Sequence, residues 1–208
     1  MLKIGLTGNI GSGKTLISEI FSTLGIPVYY ADMESKKFLD DSIVIDEIIS
    51  TFGENILTTK RQINKVELAS IVFSDPEKLL KLNEILHPRV MLDFMQWCKS
   101  KKQFPYLVHE AAIIYESGVE KFFNKIIHVS CPKDIAIERV MKRDNISSEQ
   151  VLQRMRFQMD DEIKSKLADF VIHNDGKEMI LPQVIAIHEY LNDEIFFRNP
   201  HKEHQDDF

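Results

Sequence analysis

Near the start of the 208-residue chain, Gly8-Asn9-Ile10-Gly11-Ser12-Gly13-Lys14-Thr15 follows G-x-x-x-x-G-K-[ST] without a mismatch. The run lies between a short apolar segment and a segment of helical period, which is the context this pattern needs to grip phosphate. Its glycines let the backbone curl so that several N–H groups converge on phosphate oxygens. The positive end of the following helix dipole adds to that attraction. Lys14 is expected to bridge β- and γ-phosphate oxygens, and the Thr15 hydroxyl to ligate Mg²⁺. An ordinary glycine-rich turn carrying a solvated lysine is the blander reading; it explains the composition but not the flanking segments.

A phosphate cradle alone does not separate a kinase from a nucleotide-driven machine or a switch. Asp32 stands just beyond the second apolar run, in Tyr29-Tyr30-Ala31-Asp32. A carboxylate beyond the carboxyl end of a strand can orient an acceptor hydroxyl and take its proton; the competing role is N-cap of a helix beginning at Met33. Glu110 and Glu116 follow the third strand; either could contact Mg²⁺ through water or hold a basic side chain, and a solvated loop carboxylate is the blander reading. Arg139 and Arg143 stand four apart on a predicted helix, so they share a face that suits phosphates or adenine. Nearby Glu138 and Asp144 fit a plain solvated face equally well. His87-Pro88-Arg89 reads as a break between two helices, with His87 a cap or a contact to phosphate or hydroxyl. The cluster of Met91, Phe94, Met95 and Trp97 reads as core. His109, His128, His173, His188, His201 and His204 form no metal constellation and receive no site. Cys98 and Cys131 read as small buried hydrophobes.

Short apolar runs at Leu2–Leu6, Pro27–Tyr30, Tyr106–His109, Ile126–Ser130 and Phe170–His173 predict strands, and most lack the polar alternation of a half-exposed sheet. Leu16, Ile17, Ile20, Phe21 and Leu24 lie on one helix face, and Gly25 supplies a stop. Strands separated by helices imply βαβ units, hence an α/β class with a parallel sheet. The interval from Met33 to Gln103 is too long for one crossover and almost wholly helical in signal, which predicts a helical insertion. Within it, Asn64 with Glu67 and Ser74 with Glu77 have the character of capping boxes, and Pro88 is placed to open a further helix. A second insertion, Arg139 to about Lys166, is charged and carries a Ser147/Gln150 box. The division expected is a core of 1–32, 104–138 and 167–194, an insertion of 33–103 and a lid of 139–166. The stretch from Asn199 to Phe208 is polar and expected to fray.

Composition sets limits on this reading. Lys+Arg 26 against Asp+Glu 32 gives a net charge of −6, which disfavours nonspecific binding to nucleic acid or anionic membrane. Hydrophobic residues at 44% and charged residues at 28% are ordinary globular usage. Met1-Leu2-Lys3-Ile4 opens with no basic segment before a long apolar run, and no stretch reaches membrane-spanning length. The expectation is a cytoplasmic protein, a monomer or weak homo-oligomer, with no nucleic-acid or membrane partner.

In order along the chain, the residues resemble the dephospho-CoA kinase family of P-loop kinases, from Ile4 to about Val184. The carriers are Gly5 to Thr15, Ala31-Asp32, Phe73-Ser74-Asp75-Pro76, Ile85-Leu86-His87-Pro88, Tyr115-Glu116-Ser117-Gly118, Glu138 to Asp144, Gln158, Lys166-Leu167-Ala168-Asp169 and Asn174. The resemblance implies a nucleoside-kinase-like three-layer sandwich around a five-stranded parallel sheet, a helical insertion for the CoA-like substrate and a mobile lid. It implies transfer of the ATP γ-phosphoryl group to the ribose 3′-hydroxyl of dephospho-CoA, with Mg²⁺. By position, Asp32, Lys14 and Arg139 would be catalytic. Asn9, Ile10, Gly11, Ser12, Gly13, Lys14, Thr15, Leu16, Arg139 and Arg143 would bind ATP. Thr7, Asp32, His87 and Arg89 would meet the acceptor, and Thr15 the metal. The chain departs from the family at Asn9, Thr15, Tyr30, Ala112 to Tyr115 and Ala136; Thr15 keeps the hydroxyl, while Tyr30 and Ala136 take no family role.

Two other readings stand beside this one. A kinase for another small molecule would share the core and differ in the insertion. A GTP-dependent switch would need an Asn-Lys-x-Asp segment, and Asn124-Lys125-Ile126-Ile127 fails at its last position.

Overall fold

The computed structural model describes residues 1–198; the Asn199–Phe208 stretch lies outside the described residues. Five strands form an all-parallel sheet in the order β2-β3-β1-β4-β5: β1 (Leu2–Thr7), β2 (Val28–Tyr30), β3 (Tyr106–Glu110), β4 (Lys125–Ser130) and β5 (Phe170–His173). The apolar runs therefore pair side by side, as strands buried on both faces do. α1 (Lys14–Thr23) crosses from β1 to β2 and stops at Leu24, where Gly25 takes φ +80°. Leu2, Ile4, Leu6, Tyr106, Val108, Ile127 and Val129 face α1 and α9 (Ile180–Arg198) across one core cluster. The alternate residues Leu107 and Ile126 face the opposite layer, with Val90, Phe94 and Ile114. The result is the three-layer sandwich expected.

Between β2 and β3 the chain is helical: α2 (Ala31–Phe38), α3 (Ser42–Phe52), α4 (Lys65–Val72) and α5 (Pro76–Lys99). Asn64 caps α4 by accepting from Val66 N and Glu67 N, as its spacing suggested. Two expectations fail here. Asp75, not Ser74, caps α5, accepting from Glu77 N while Pro76 takes the first turn; the Ser74 hydroxyl donates instead to Ile71 O. Pro88 opens no helix, because α5 runs through it without a break. A proline inside a helix costs about 3 kcal/mol, but α5 carries a buried stripe at every fourth residue. Leu82 and Leu86 pack into a separate cluster with α3 and α4, and Val90, Phe94 and Cys98 pack under the sheet. Splitting the helix would break that stripe. Arg89 Nη1 donates to Ile85 O at 2.5 Å beside the missing N–H.

After β4 come α6 (Lys133–Asp144), α7 (Ser148–Met155) and α8 (Asp161–Leu167). The Ser147/Gln150 capping box is present. α6 is continuous across Arg139, so the charged segment begins in mid-helix. Cys98 and Cys131 are free and buried. No helix of the described residues is long and apolar enough to cross a membrane.

Candidate active site

The loop between β1 and α1 is built by contacts that only glycine permits. Gly13 sits at φ +93° as the N-cap of α1, and a Cβ there would collide with the Asn174 amide. Gly11, at φ +81°, would collide with the Ala136 carbonyl on α6. Any other L-residue would carry both the steric clash and the left-handed strain. Asn174 Nδ2 donates to Ser12 O at 2.7 Å, and Arg139 Nη2 donates to Asn174 Oδ1 at 3.1 Å. Arg139 Nη1 also donates to Asn174 O and Cys131 Sγ. Thus Arg139 lies against the cradle through a residue 162 positions from the serine it supports. From the other side, Gln158 Oε1 accepts from Ile10 N at 2.8 Å, and Asn9 Nδ2 donates to Met159 O at 3.2 Å. Asn9 Oδ1 and Ser12 Oγ are buried without a partner, two polar atoms awaiting a ligand or solvent.

Lys14 is buried, and its ammonium donates to Gly8 O at 2.9 Å. Burial pulls its pKa down, while the carboxylates of Glu110 and Asp32 oppose that and the cations of Lys164 and Arg143 reinforce it. Glu110, at the end of β3, is pushed up to about 7 by burial, against the pull of Lys14 and with help from Asp32. One ammonium and two carboxylates therefore share one electrostatic environment at the carboxyl ends of the strands. Thr15 and Leu16 follow in the exposed first turn of α1. Arg143 is largely exposed and paired with Asp144, which also accepts from Arg154.

Asp32 is exposed in the first turn of α2, whose N-cap is Tyr30, so the capping role does not apply. It borders a cavity of about 120 Å³ with His87 and Asn83 of α5, and with His109, Ile113 and Ser117. Burial lowers the His87 pKa, and the Asp32 carboxylate opposes that shift. Arg89 does not join them. Two residues on from His87, it turns to the other side of α5 and pairs with Glu47 of α3 at 2.6 Å. Thr7 is buried at the end of β1, its hydroxyl donating to Ala112 O at 3.3 Å. A larger open groove of about 420 Å³, lined by Tyr115, Phe123, Lys125, Leu167 and Asp169, lies toward the starts of β4 and β5 and holds no cradle residue. The smaller cavity is the one that meets the chemistry.

Two further residues, Lys164 and Asp161, were given no role from sequence, while Glu116 takes up one of its expected roles by holding a basic side chain. Lys164, fully buried on α8, pairs with Glu116 at 2.7 Å and donates to Ala112 O; burial lowers its pKa against the pull of Glu116. Glu116 also accepts from Met159 N at 2.7 Å. Asp161 accepts from Ser130 Oγ and pairs with His128. These contacts tie the stretch from Gln158 to Lys164 to β4 and to the loop after β3. Their partners are distant in sequence, and no local spacing announces them. Among the described residues, no group of three or more His, Cys, Asp or Glu side chains could hold a metal.

Comparison with known proteins agrees with this geometry. The family model described as Dephospho-CoA kinase matches residues 2–179. The chain is 38% identical over 197 residues to the dephospho-CoA kinase of Bacteroides fragilis strain YCH46, covering 94% of this chain and 96% of that protein. Among solved structures, TT1252 from Thermus thermophilus superposes with a TM-score of 0.78 at 32% identity, covering 92% of this chain and 97% of that one. The dephospho-CoA kinase from Campylobacter jejuni gives 0.65 at 25%, covering 92% and 98%.

Proposed function

The chain belongs to the dephospho-CoA kinase family, and on that premise we propose that its cradle binds Mg-ATP while the cavity beside Asp32 receives the nucleoside end of dephospho-CoA. The protein is an ATP-dependent kinase that phosphorylates dephospho-CoA in the last step of coenzyme A biosynthesis. The accepting group is the ribose 3′-hydroxyl, and the products are coenzyme A and ADP. The observation that carries this reading is the joint placement of Asp32: it borders the acceptor cavity and also lies in the electrostatic environment of the cradle lysine.

In an in-line transfer, Asp32 orients the hydroxyl and accepts its proton, while Lys14 and Arg139 offset charge on the phosphoryl oxygens. The Thr15 hydroxyl, exposed directly after Lys14, and the exposed Asp32 carboxylate are oxygen donors that would suit Mg²⁺, which is usually held by few protein ligands beside phosphates and water. A metal held there would supply positive charge to offset that of the nucleotide phosphates. Asn9, Ile10, Gly11, Ser12, Gly13, Leu16 and Arg143 complete the ATP side. Thr7 and His87 serve the acceptor side. Arg89, held by Glu47, supports α5 and reaches the acceptor only if that pair opens.

The insertion of residues 33–103 forms one wall of the acceptor site, and the 139–166 region the lid. Supporting that division, Gln153 Nε2 of α7 donates to Phe73 O at 2.9 Å, so the lid already touches the insertion. Two free buried thiols fit a reducing cytoplasm. One chain carries cradle, cavity and Asp32 together, which fits a monomer. Incubation with Mg-ATP and dephospho-CoA, followed by mass analysis, should find one phosphoryl group added at the ribose 3′ position. Absence of that product, or preference for an unrelated acceptor, would overturn the assignment.

A further inference from the structure

His109 has unusual surroundings for a polar side chain. It is only 2% exposed, and neither ring nitrogen has a hydrogen-bond partner. Tyr29 stacks on it at 5.4 Å, and Phe94 and Phe123 pack around it at 4.6 and 5.0 Å between ring centroids. A phenylalanine would fill this aromatic nest without cost, whereas each unsatisfied buried polar group costs about 1–3 kcal/mol. Alternation along β3 puts Leu107 and His109 on the sheet face that carries α5, and there His109 lines the acceptor cavity. Asp32 at that cavity is exposed and His109 is deeply buried, so its lining runs from a carboxylate at the surface to an imidazole in the interior. Its walls include Val90 and Ile113, apolar surfaces of the kind that hold a flat heterocycle.

We propose that His109 is a specificity-determining residue that hydrogen-bonds the edge of the acceptor's adenine base while Asp32 addresses the hydroxyl on the attached ribose. This deepens the kinase reading and rests on it. A neutral imidazole offers one donor and one acceptor. Those two nitrogens point away from each other, so the one turned to the cavity pairs alone, its lone pair accepting from the exocyclic amine on the adenine edge. Burial holds the His109 pKa down at about 4, so the ring stays neutral throughout the working range of such an enzyme. Binding of the base would satisfy one of the two ring nitrogens that have no partner within the protein, and an acceptor unable to make that bond would be disfavoured.

The test compares the intact enzyme with His109→Phe, which keeps an aromatic ring of similar volume and removes both nitrogens. The expected result is a KM for dephospho-CoA raised about tenfold, equivalent to the loss of about 1.4 kcal/mol, with the KM for ATP unchanged. The melting temperature of the free variant should equal or exceed that of the wild type. An acceptor whose adenine is replaced by hypoxanthine should be a poor substrate for the wild type and no longer discriminated by the variant. Unchanged acceptor kinetics, or equal losses for both substrates together with a lower melting temperature, would make His109 a core residue and overturn the proposal. A measurement needing no variant uses ¹⁵N-histidine protein: the His109 imidazole resonances should move on adding dephospho-CoA and not on adding ATP, and resonances that stay still sink the idea. A wild type that fails to phosphorylate dephospho-CoA would instead refute the kinase reading itself.

Discussion

At the scale of single residues, the site is a balance between one buried ammonium and two carboxylates with different burial. Asp32 is exposed and free to meet an alcohol; Glu110 is buried and held near its neutral form. Replacing Asp32 with Asn keeps the shape but removes the proton acceptor. Turnover should fall about 10²–10⁴-fold while calorimetry finds ATP affinity unchanged; near-normal turnover would remove Asp32 from the chemistry. Glu110 makes a separate prediction about the free protein. Its folded pKa of about 7 lies above the ordinary 4.5, so the folded state favours the protonated acid. Stability must then decline as pH rises from about 4.5 to about 7 and level off above. Glu110→Gln should abolish that decline, leaving the variant about 3 kcal/mol more stable relative to wild type at pH 8 than at pH 5. Denaturant titrations at the two pH values would read it, and parallel curves would contradict the burial argument. The cradle glycines and Lys14 were legible in sequence because local spacing defines them, whereas Asp32 stood there between a catalytic role and a helix cap. Asn174 and Gln158 were visible there only as matches to a family, and Glu116 as a carboxylate able to hold an unnamed basic side chain, since their partners lie across the fold.

Among the elements, α5 does more than the sequence suggested. Read locally, Pro88 is a helix start; in the folded chain it is an interior defect spanned by a stripe of five buried side chains. That stripe joins the insertion's core to the sheet's core, so the helix fixes where His87 stands relative to Asp32. Pro88→Ala should restore the missing backbone donor and raise stability by up to about 3 kcal/mol, measured by urea unfolding. The same change should raise the KM for dephospho-CoA by altering the path of the helix next to His87. Stability and KM both at wild-type values would show that the proline neither costs energy nor shapes the site. The Ser74 error has the same origin: Ser and Asp both make N-caps, and only the packing of the α4–α5 corner selects which one does.

Across the whole molecule, the charged segment after β4 is held at two places. Its end, from Gln158 to Lys164, is anchored to the cradle, β4 and Glu116. Its α7 portion reaches over to the insertion, where Arg154 lies over the Phe73 ring and Phe157 packs beside it. Phe73→Ala should loosen this bridge, raise the KM for both substrates and increase ATP hydrolysis in the absence of acceptor, because an open lid admits water. Unaltered hydrolysis with phosphate release measured directly would argue that Phe73 plays no part in closure. The amino-acid order alone sufficed for the parallel α/β class, the phosphate loop and the alternation of strand and helix, because hydrophobic period and glycine geometry act over a few residues. Which face of α5 lines the cavity beside Asp32, which cations lie near the cradle, and that His109 borders a cavity rather than a dry core were decided only when distant segments packed together. Burial and charge at each of those positions are set by neighbours far along the chain, and no local pattern encodes them.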